Sequence, residues 1–316
     1  MSAATGIDAS NFVGKLDQTF VYIIGISLAF LVFLTGLMIY FIIKYNRKKN
    51  AKATQIEGST KLELLWTIIP TLLALTMFYF GWAGWKPMTK PPKDAREVTS
   101  TARMWSFNFT YENGKQTPNL VLPVNEPVVL NLVSVDVIHS LYIPAFRVKE
   151  DMVPGKEKKM WFRPQAIGKY DLFCTEYCGL QHSYMETTVE ILSKEEFEEW
   201  YADTTAILAS ETDENMPGGA GFNILRTQGC NACHSSDGSR LVGPSYLGIW
   251  GSERLVNEGG EKKTVIVDRE YIKKSVYDPN SQIVEGYQKG LMQSYEGIIS
   301  EDDIDKIIEY LKSLDE

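Results

Sequence analysis

Cys174-Thr-Glu-Tyr-Cys178-Gly-Leu-Gln-His182-Ser-Tyr-Met185 gathers two thiols, an imidazole and a thioether into one short stretch. Thiolate and thioether are soft donors that select copper, zinc or iron–sulfur, and imidazole suits copper and zinc. A methionine beside Cys and His points toward an electron-transfer copper site, because structural zinc rarely uses a thioether. For the two cysteines alone, a disulfide and a helical metal stripe are the alternatives. The strand-like Tyr170-Asp-Leu-Phe173 ahead of the motif and Gly179 inside it argue for a loop leaving a β-strand. A further ligand is then expected from a neighbouring strand end. His139, in Asp136-Val-Ile-His139-Ser, closes the most convincing strand and is the histidine left for that role. Its bland alternative is a core or surface histidine.

The chain's other two cysteines lie in Cys230-Asn-Ala-Cys233-His234, the pattern that attaches a c-type haem covalently. Two redox centres on one polypeptide imply electron transfer. With four Cys and three His in 316 residues, every one falls in or near a ligand motif. A catalytic haem–copper oxygen site needs several histidines of its own, so oxygen chemistry is expected in another subunit. The net charge of −8 argues against wholesale nucleic-acid binding and permits a basic protein partner.

Two apolar runs precede the motifs. Phe20 to Ile43 is long enough for one bilayer crossing, and Leu64 to Trp85 for a second, with Trp82 and Trp85 suited to an interfacial belt. A cleaved signal peptide fits the first run poorly, since it lacks a basic lead-in, is too long and is followed by a second span. Lys44, Arg47, Lys48, Lys49, Lys52 and Lys61 lie between the runs, so this loop is expected on the cytoplasmic side and both termini outside. From Glu97 to Leu192 the texture is β, exemplified by Pro127-Val-Val-Leu-Asn-Leu-Val-Ser-Val, with Gly and Pro breaks that fit an antiparallel sandwich or barrel. Ser193 to Tyr201 reads as a short acidic helix with Ser193 and Glu196 as a capping box, its glutamates forming a solvated face more readily than a docking patch. A polar stretch follows, ending in Met216-Pro-Gly-Gly-Ala-Gly, and reads as a linker. Near the end, Ile304, Ile307, Ile308 and Leu311 recur at helical spacing behind a Ser300/Asp303 cap. The expected division is 1–95 for the tail and membrane hairpin, 96–193 for the β domain, 194–218 for helix and linker, and 219–316 for the haem domain.

On these residues the chain resembles subunit II of haem–copper cytochrome c oxidases. The resemblance covers Phe20 to Leu192: the two-span hairpin, Glu63-Leu-Leu-Trp-Thr-Ile-Ile-Pro70, Trp105-Ser-Phe-Asn-Phe, Asp136-x-x-His139 and the whole Cys/Glu/Cys/His/Met loop. It implies an all-β cupredoxin domain, a Greek-key barrel or sandwich, carrying a binuclear copper centre (CuA). Cys174 and Cys178 would bridge two coppers, His139 and His182 would each bind one, and Met185 and the carbonyl of Glu176 would complete the set. The Glu176 side chain would approach a magnesium ion shared with subunit I. Glu63 resembles a glutamate at the mouth of a proton path into subunit I. Its structural alternative is a Thr60-Lys-Leu-Glu63 capping box.

Residues after Gly219 are similar to an all-α class I cytochrome c domain, as fused to subunit II in caa3-type oxidases. That similarity implies thioethers at Cys230 and Cys233, His234 as proximal ligand, a Gly243-Pro244 turn beneath the haem, and Met292 as distal ligand. A core methionine is the alternative at 292, Gln293 stands where the family usually has Pro, and Met216 is a poor competitor. Relatives fed by a soluble cytochrome usually carry Trp two positions before the residue matching Trp105; here that position is Arg103. The expected function is electron input to a terminal oxidase of the bacterial inner membrane, from a c-type cytochrome or quinol-oxidising complex through haem c and CuA to subunit I. Oxygen reduction to water would be coupled there to proton pumping. The alternatives are a copper-bearing subunit of a nitric-oxide reductase-like complex and a lone membrane-anchored electron shuttle.

Overall fold

The computed structural model describes residues 8–52, 55, 57–203 and 219–314. Two long helices come first, α1 (Val13–Lys44) and α2 (Thr60–Trp85), each long and apolar enough to cross a bilayer. They form a hairpin in which the hydroxyls of Tyr22 and Thr76 meet at 2.6 Å and the Tyr22 ring stands edge-on to Phe80. Phe33, Leu34, Leu72 and Phe78 stay exposed, a surface suited to lipid and other membrane helices. The expected Thr60/Glu63 capping box does not form. Ser59 is the residue preceding the helix and makes no side-chain cap, so Glu63 lies one position too far along, and its N–H makes an ordinary helical bond to Ser59 O at 2.9 Å.

The hairpin is tied to the β domain at its outer end. Ser10 Oγ donates to Phe146 O (2.9 Å), Phe12 packs edge-on against Trp161, and Arg147 pairs with Asp17 of α1 at 2.7 Å. The indole N–H of Trp161 also reaches Pro87 O, just past α2.

Ten strands build a two-sheet sandwich from Arg96 to Leu192. In chain order they are β1 (Arg96–Arg103), β2 (Ser106–Tyr111), β3 (Gln116–Thr117), β4 (Leu120–Pro123), β5 (Val128–Ser134), β6 (His139–Ile143), β7 (Val148–Met152), β8 (Lys158–Phe162), β9 (Gly168–Cys174) and β10 (Glu186–Leu192). One sheet runs β3-β2-β1-β5-β8 and the other β4-β10-β9-β6-β7. In β1 (Arg96–Arg103) Val98, Ser100 and Ala102 point inward at period two, and β1 pairs in parallel with β5 (Val128–Ser134), as expected of a Greek-key sandwich rather than simple hairpins. Phe109, Leu122, Leu130, Leu141, Phe146, Phe162, Leu172 and Val189 fill the space between the sheets, each fully enclosed. Each such side chain contributes roughly 1.5–3 kcal/mol of burial. Helix α3 (Lys194–Ala202) forms with its Ser193/Glu196 capping box and buries Phe197 against the sandwich. The buried Lys115 ammonium donates to the carbonyls of Trp200 and Asp203, satisfying the last turn of α3.

The expected linker at 204–218, with Met216, lies outside the described residues. Beyond it, α4 (Gly219–Thr227), α5 (Arg269–Tyr277) and α6 (Glu301–Ser313) make a helical region. Ile304, Ile307, Ile308 and Leu311 are buried and the Ser300/Asp303 box is formed. Gly221 lets α4 approach α6, since a Cβ there would collide with Lys306 O. The region is not purely helical. Strands β11 (Glu253–Glu258), β12 (Glu261–Ile266) and β13 (Ile283–Val284) form a small sheet, turned by Gly259 and Gly260, both at positive φ. A two-residue Gly-Gly hairpin turn between extended segments is the reason.

Candidate metal centre and haem-attachment cavity

Strand β9 (Gly168–Cys174) ends at its ligand cysteine, and the chain then leaves as a loop with a short helical turn at His182–Tyr184. His139 opens β6 (His139–Ile143) rather than closing the preceding strand, because β5 ends at Ser134 and a turn intervenes. Pairing of β6 with β9, with Leu141 opposite Cys174, brings His139 to the loop. Cys174 Sγ lies 3.7 Å from Cys178 Sγ, 3.9 Å from His139 Nδ1 and 3.3 Å from Glu176 O. Cys178 Sγ lies 3.5 Å from His182 Nδ1 and 3.7 Å from Met185 Sδ. Every residue of the expected copper set is thus assembled. The sulfurs are far beyond the ~2.05 Å of a disulfide. Glu176 keeps its side chain exposed.

Asp136, part of the Asp-x-x-His stretch but assigned no role there, orients the site. Its Oδ1 accepts from His139 Nε2 (2.8 Å) and its Oδ2 from the Met104 N–H (2.7 Å). With a metal bound at the sulfurs, a proton held on Nε2 by Asp136 would leave the Nδ1 lone pair for that metal, the arrangement in which a carboxylate sets the tautomer of a ligating histidine. Burial opposes charge on His139, yet its bond to Asp136 raises its pKa overall; Asp136 is correspondingly held low despite its own burial. Burial likewise works against a Cys174 thiolate, but the His139 bond and backbone donors bring it down to about 6. Cys178 is pushed up to about 12 by burial and by the Cys174 charge beside it. Two sulfurs, two imidazoles, a thioether and a carbonyl converging within 4 Å steps form a soft donor set that fits a copper pair, whose positive charge would favour both thiolates. The i,i+3 Asp-x-x-His spacing was the legible signal. Replacing Asp136 by Ala is expected to lower copper affinity by about 10–100-fold, read by competition with a chelator, and Asn, which keeps an acceptor oxygen, to lose less.

Trp105 was likewise unassigned. It is buried, donates its indole N–H to Cys178 O (3.1 Å), and packs on Gly179, whose φ of +120° strains any side chain and whose Cβ would press on the indole at 3.1 Å.

The second motif lines a cleft, partly open to solvent, walled by Cys230, Cys233, His234, Met292 and mainly apolar neighbours such as Ile249, Ile299 and Leu311. His234 Nδ1 donates to Pro244 O (2.7 Å), leaving Nε2 free, and Tyr246 stacks on the ring at 5.0 Å. Gly243 is required beneath, because a Cβ there would strike the imidazole. Enclosure lowers the His234 pKa and so keeps the ring a neutral donor, and burial raises Cys230 to about 12 and Cys233 to about 11. Two thiols, a neutral imidazole and a thioether around an apolar cleft fit a covalently attached haem. Glu63, by contrast, lies exposed in the first turn of α2, away from both centres.

Two family models match the chain, "Cytochrome C oxidase subunit II, transmembrane domain" over residues 4–81 and "Cytochrome C oxidase subunit II, periplasmic domain" over residues 104–192. The chain belongs to the cytochrome c oxidase subunit II family. Members of this family carry the CuA centre, and the chain is accordingly a membrane-anchored subunit of a haem–copper oxidase that takes electrons in. It is 28% identical over 305 residues to cytochrome c oxidase subunit 2 of Alkalihalophilus pseudofirmus, covering 92% of this chain and 85% of that one. Against the same subunit of Bacillus sp. PS3 it is 29% identical over 287 residues, covering 84% and 78%. A solved structure of the periplasmic domain of subunit II of cytochrome oxidase from Bradyrhizobium japonicum, 25% identical, covers 38% of this chain and 100% of that one at a TM-score of 0.36.

Proposed function

We propose that this subunit is of the caa3 type, with residues 96–193 forming the copper domain and 219–316 a haem c domain joined through 194–218 to the hairpin domain of 1–95. Cys174, Cys178, His139, His182, Met185 and Glu176 O would hold the copper pair. Cys230 and Cys233 would attach the haem, and His234 and Met292 would hold its iron. When bound, the haem and the copper pair each supply one-electron redox chemistry at potentials tuned by these ligands. The protein's own work is to hold them still. Asp136 orients His139, Pro244 O orients His234, and Trp105 braces the loop at Cys178. The β scaffold limits ligand movement on reduction.

The observation that carries this reading is a shared wall. Arg103 and Met104 of the copper domain line the same cleft as Cys230, Cys233 and Met292, while the next residue, Trp105, is bonded to Cys178. Electrons entering at the haem motif then need only a short intramolecular passage, which suits the absence of a Trp at 103 for a docked donor. The similarity to the Alkalihalophilus subunit supports it as well, since 92% coverage requires alignment far past residue 192. The acceptor is subunit I, where oxygen is reduced to water with proton pumping; the relatives favour this over the nitric-oxide reductase-like alternative. Both redox domains lie outside the bacterial inner membrane, a reading supported by the basic loop between the spans. The Glu176 side chain is a magnesium ligand at the subunit I boundary, and Glu63 stands at a proton-path mouth.

Metal and haem analysis of the purified complex tests the reading. Copper in a pair per chain, and haem that stays on this polypeptide after denaturation, are expected. Zinc in place of copper, a 174–178 disulfide without copper, or haem that extracts into acid acetone would overturn it.

A further inference from the structure

We propose that Arg103 is the pin that docks the haem-attachment unit onto the copper domain, its guanidinium clamped on Tyr295 so that the Cys230–Cys233 wall stays against the Met104–Trp105 segment. The inference deepens the caa3-type reading and rests on it for the haem.

Arg103 ends β1 and is only 9% exposed, and it is the only permanently charged residue among those walling the cleft. Among the described residues no carboxylate lies within ion-pair distance of it, and its Nη1 has no hydrogen-bond partner. A buried cation without an anion is costly and persists only where something else compensates. Here that is the Tyr295 face, with the guanidinium 4.6 Å from the ring centroid. A desolvated cation–π contact is among the stronger non-ionic ways to hold an arginine. Tyr295 belongs to the C-terminal unit and donates its hydroxyl to Gln228 O, two residues before Cys230. The stack therefore grips the segment that presents the attachment cysteines.

The neighbouring contacts are weaker individually and follow the same seam. Asn108 Nδ2 donates to Thr227 O (2.8 Å), Gln228 reaches Gln116 at 3.5 Å, and Gly229 lies so close to Ser106 that a Cβ would land on its hydroxyl. From the seam, backbone leads through Met104 to Trp105, whose indole is bonded to the Cys178 carbonyl. The alternative partner for Arg103 is a haem carboxylate. Haem carboxylates occupy the porphyrin edge opposite the two vinyl-derived positions that cysteines attach, whereas Arg103 lines the cleft wall with Cys230 and Cys233 themselves, its charge only partly offsetting the rise that burial gives Cys230.

The test uses the full chain in its oxidase complex. In Arg103→Ala, amide hydrogen exchange across 104–108 and 227–230 should accelerate about tenfold while the rest of each unit is unchanged. The copper band and haem spectrum should stay at wild-type intensity, and electron redistribution between the centres after flash reduction should slow at least severalfold. Arg103→Lys, which keeps charge without the planar face, should recover little. If Arg103→Ala does not assemble, Tyr295→Leu breaks the stack from the other side, whereas Tyr295→Phe keeps the ring under the guanidinium, so that 104–108 stays protected, and loosens 227–230 only by the lost hydroxyl bond to Gln228 O. Exchange within twofold of wild type in Arg103→Ala or Tyr295→Leu overturns the pin. So does a Phe variant as loose as Leu, or a shifted haem potential with the seam still protected, which would assign Arg103 to the haem carboxylate. Lack of covalent haem in wild type would sink the caa3-type reading alone, since exchange judges the pin without it.

Discussion

Replacing Cys178 by serine removes the near-infrared band of a mixed-valence copper pair and leaves the haem c spectrum intact. Cys178 is the hub of the loop: its sulfur lies within 3.7 Å of Cys174 Sγ and Met185 Sδ and 3.5 Å from His182 Nδ1. A serine oxygen is harder, shorter and far more reluctant to ionise, so it cannot share two soft metals. Loss of an orienting partner alone costs ~10–100-fold in metal affinity, and loss of a bridging ligand should exceed that. The haem cleft draws no residue from the loop, and its cysteines lie on a different unit. Optical spectra and copper content of the purified variant, beside wild type, decide the matter; a retained near-infrared band would remove Cys178 from the bridge.

Met292→Leu has the complementary effect. Leucine keeps the apolar bulk that Met292 contributes to the cleft wall but lacks the thioether, so the haem potential should fall by on the order of 100 mV while the copper band is untouched. The sign follows from thioether ligation favouring the reduced iron. A redox titration followed at the haem absorption bands reads it directly. An unchanged potential would return Met292 to the role of a core methionine.

Both predictions rest on residues that could be picked out before folding was considered, because soft-donor motifs are dense in chemistry and short in sequence. Cys174 to Met185 and Cys230 to His234 are each local, and a local motif survives translation into structure almost unchanged. His139 was legible only by elimination, and its expected place at the end of a strand was off by one turn: Ser134 ends β5 and His139 begins β6. Element ends depend on where a sheet stops pairing, which a single strand's composition does not record. The expected Thr60/Glu63 cap failed for the same reason, as the helix began one residue earlier than that box requires. Gly259-Gly260 carried a hairpin signal that the expectation of an all-α region passed over.

Sequence by itself determined the two apolar spans, the β texture of the middle region, the final amphipathic helix and nearly all the donor atoms, since each follows from hydropathy period or from ligand chemistry within a few residues. Tertiary structure decided what acts across distance. Asp136 reaches Met104 and His139 together, Trp105 bonds to Cys178, and Arg103 meets Tyr295 only once the sandwich and the C-terminal helices have packed. Those contacts join residues far apart in the chain, and their partners are chosen by strand register and the close approach that Gly229 allows, neither of which any local pattern encodes.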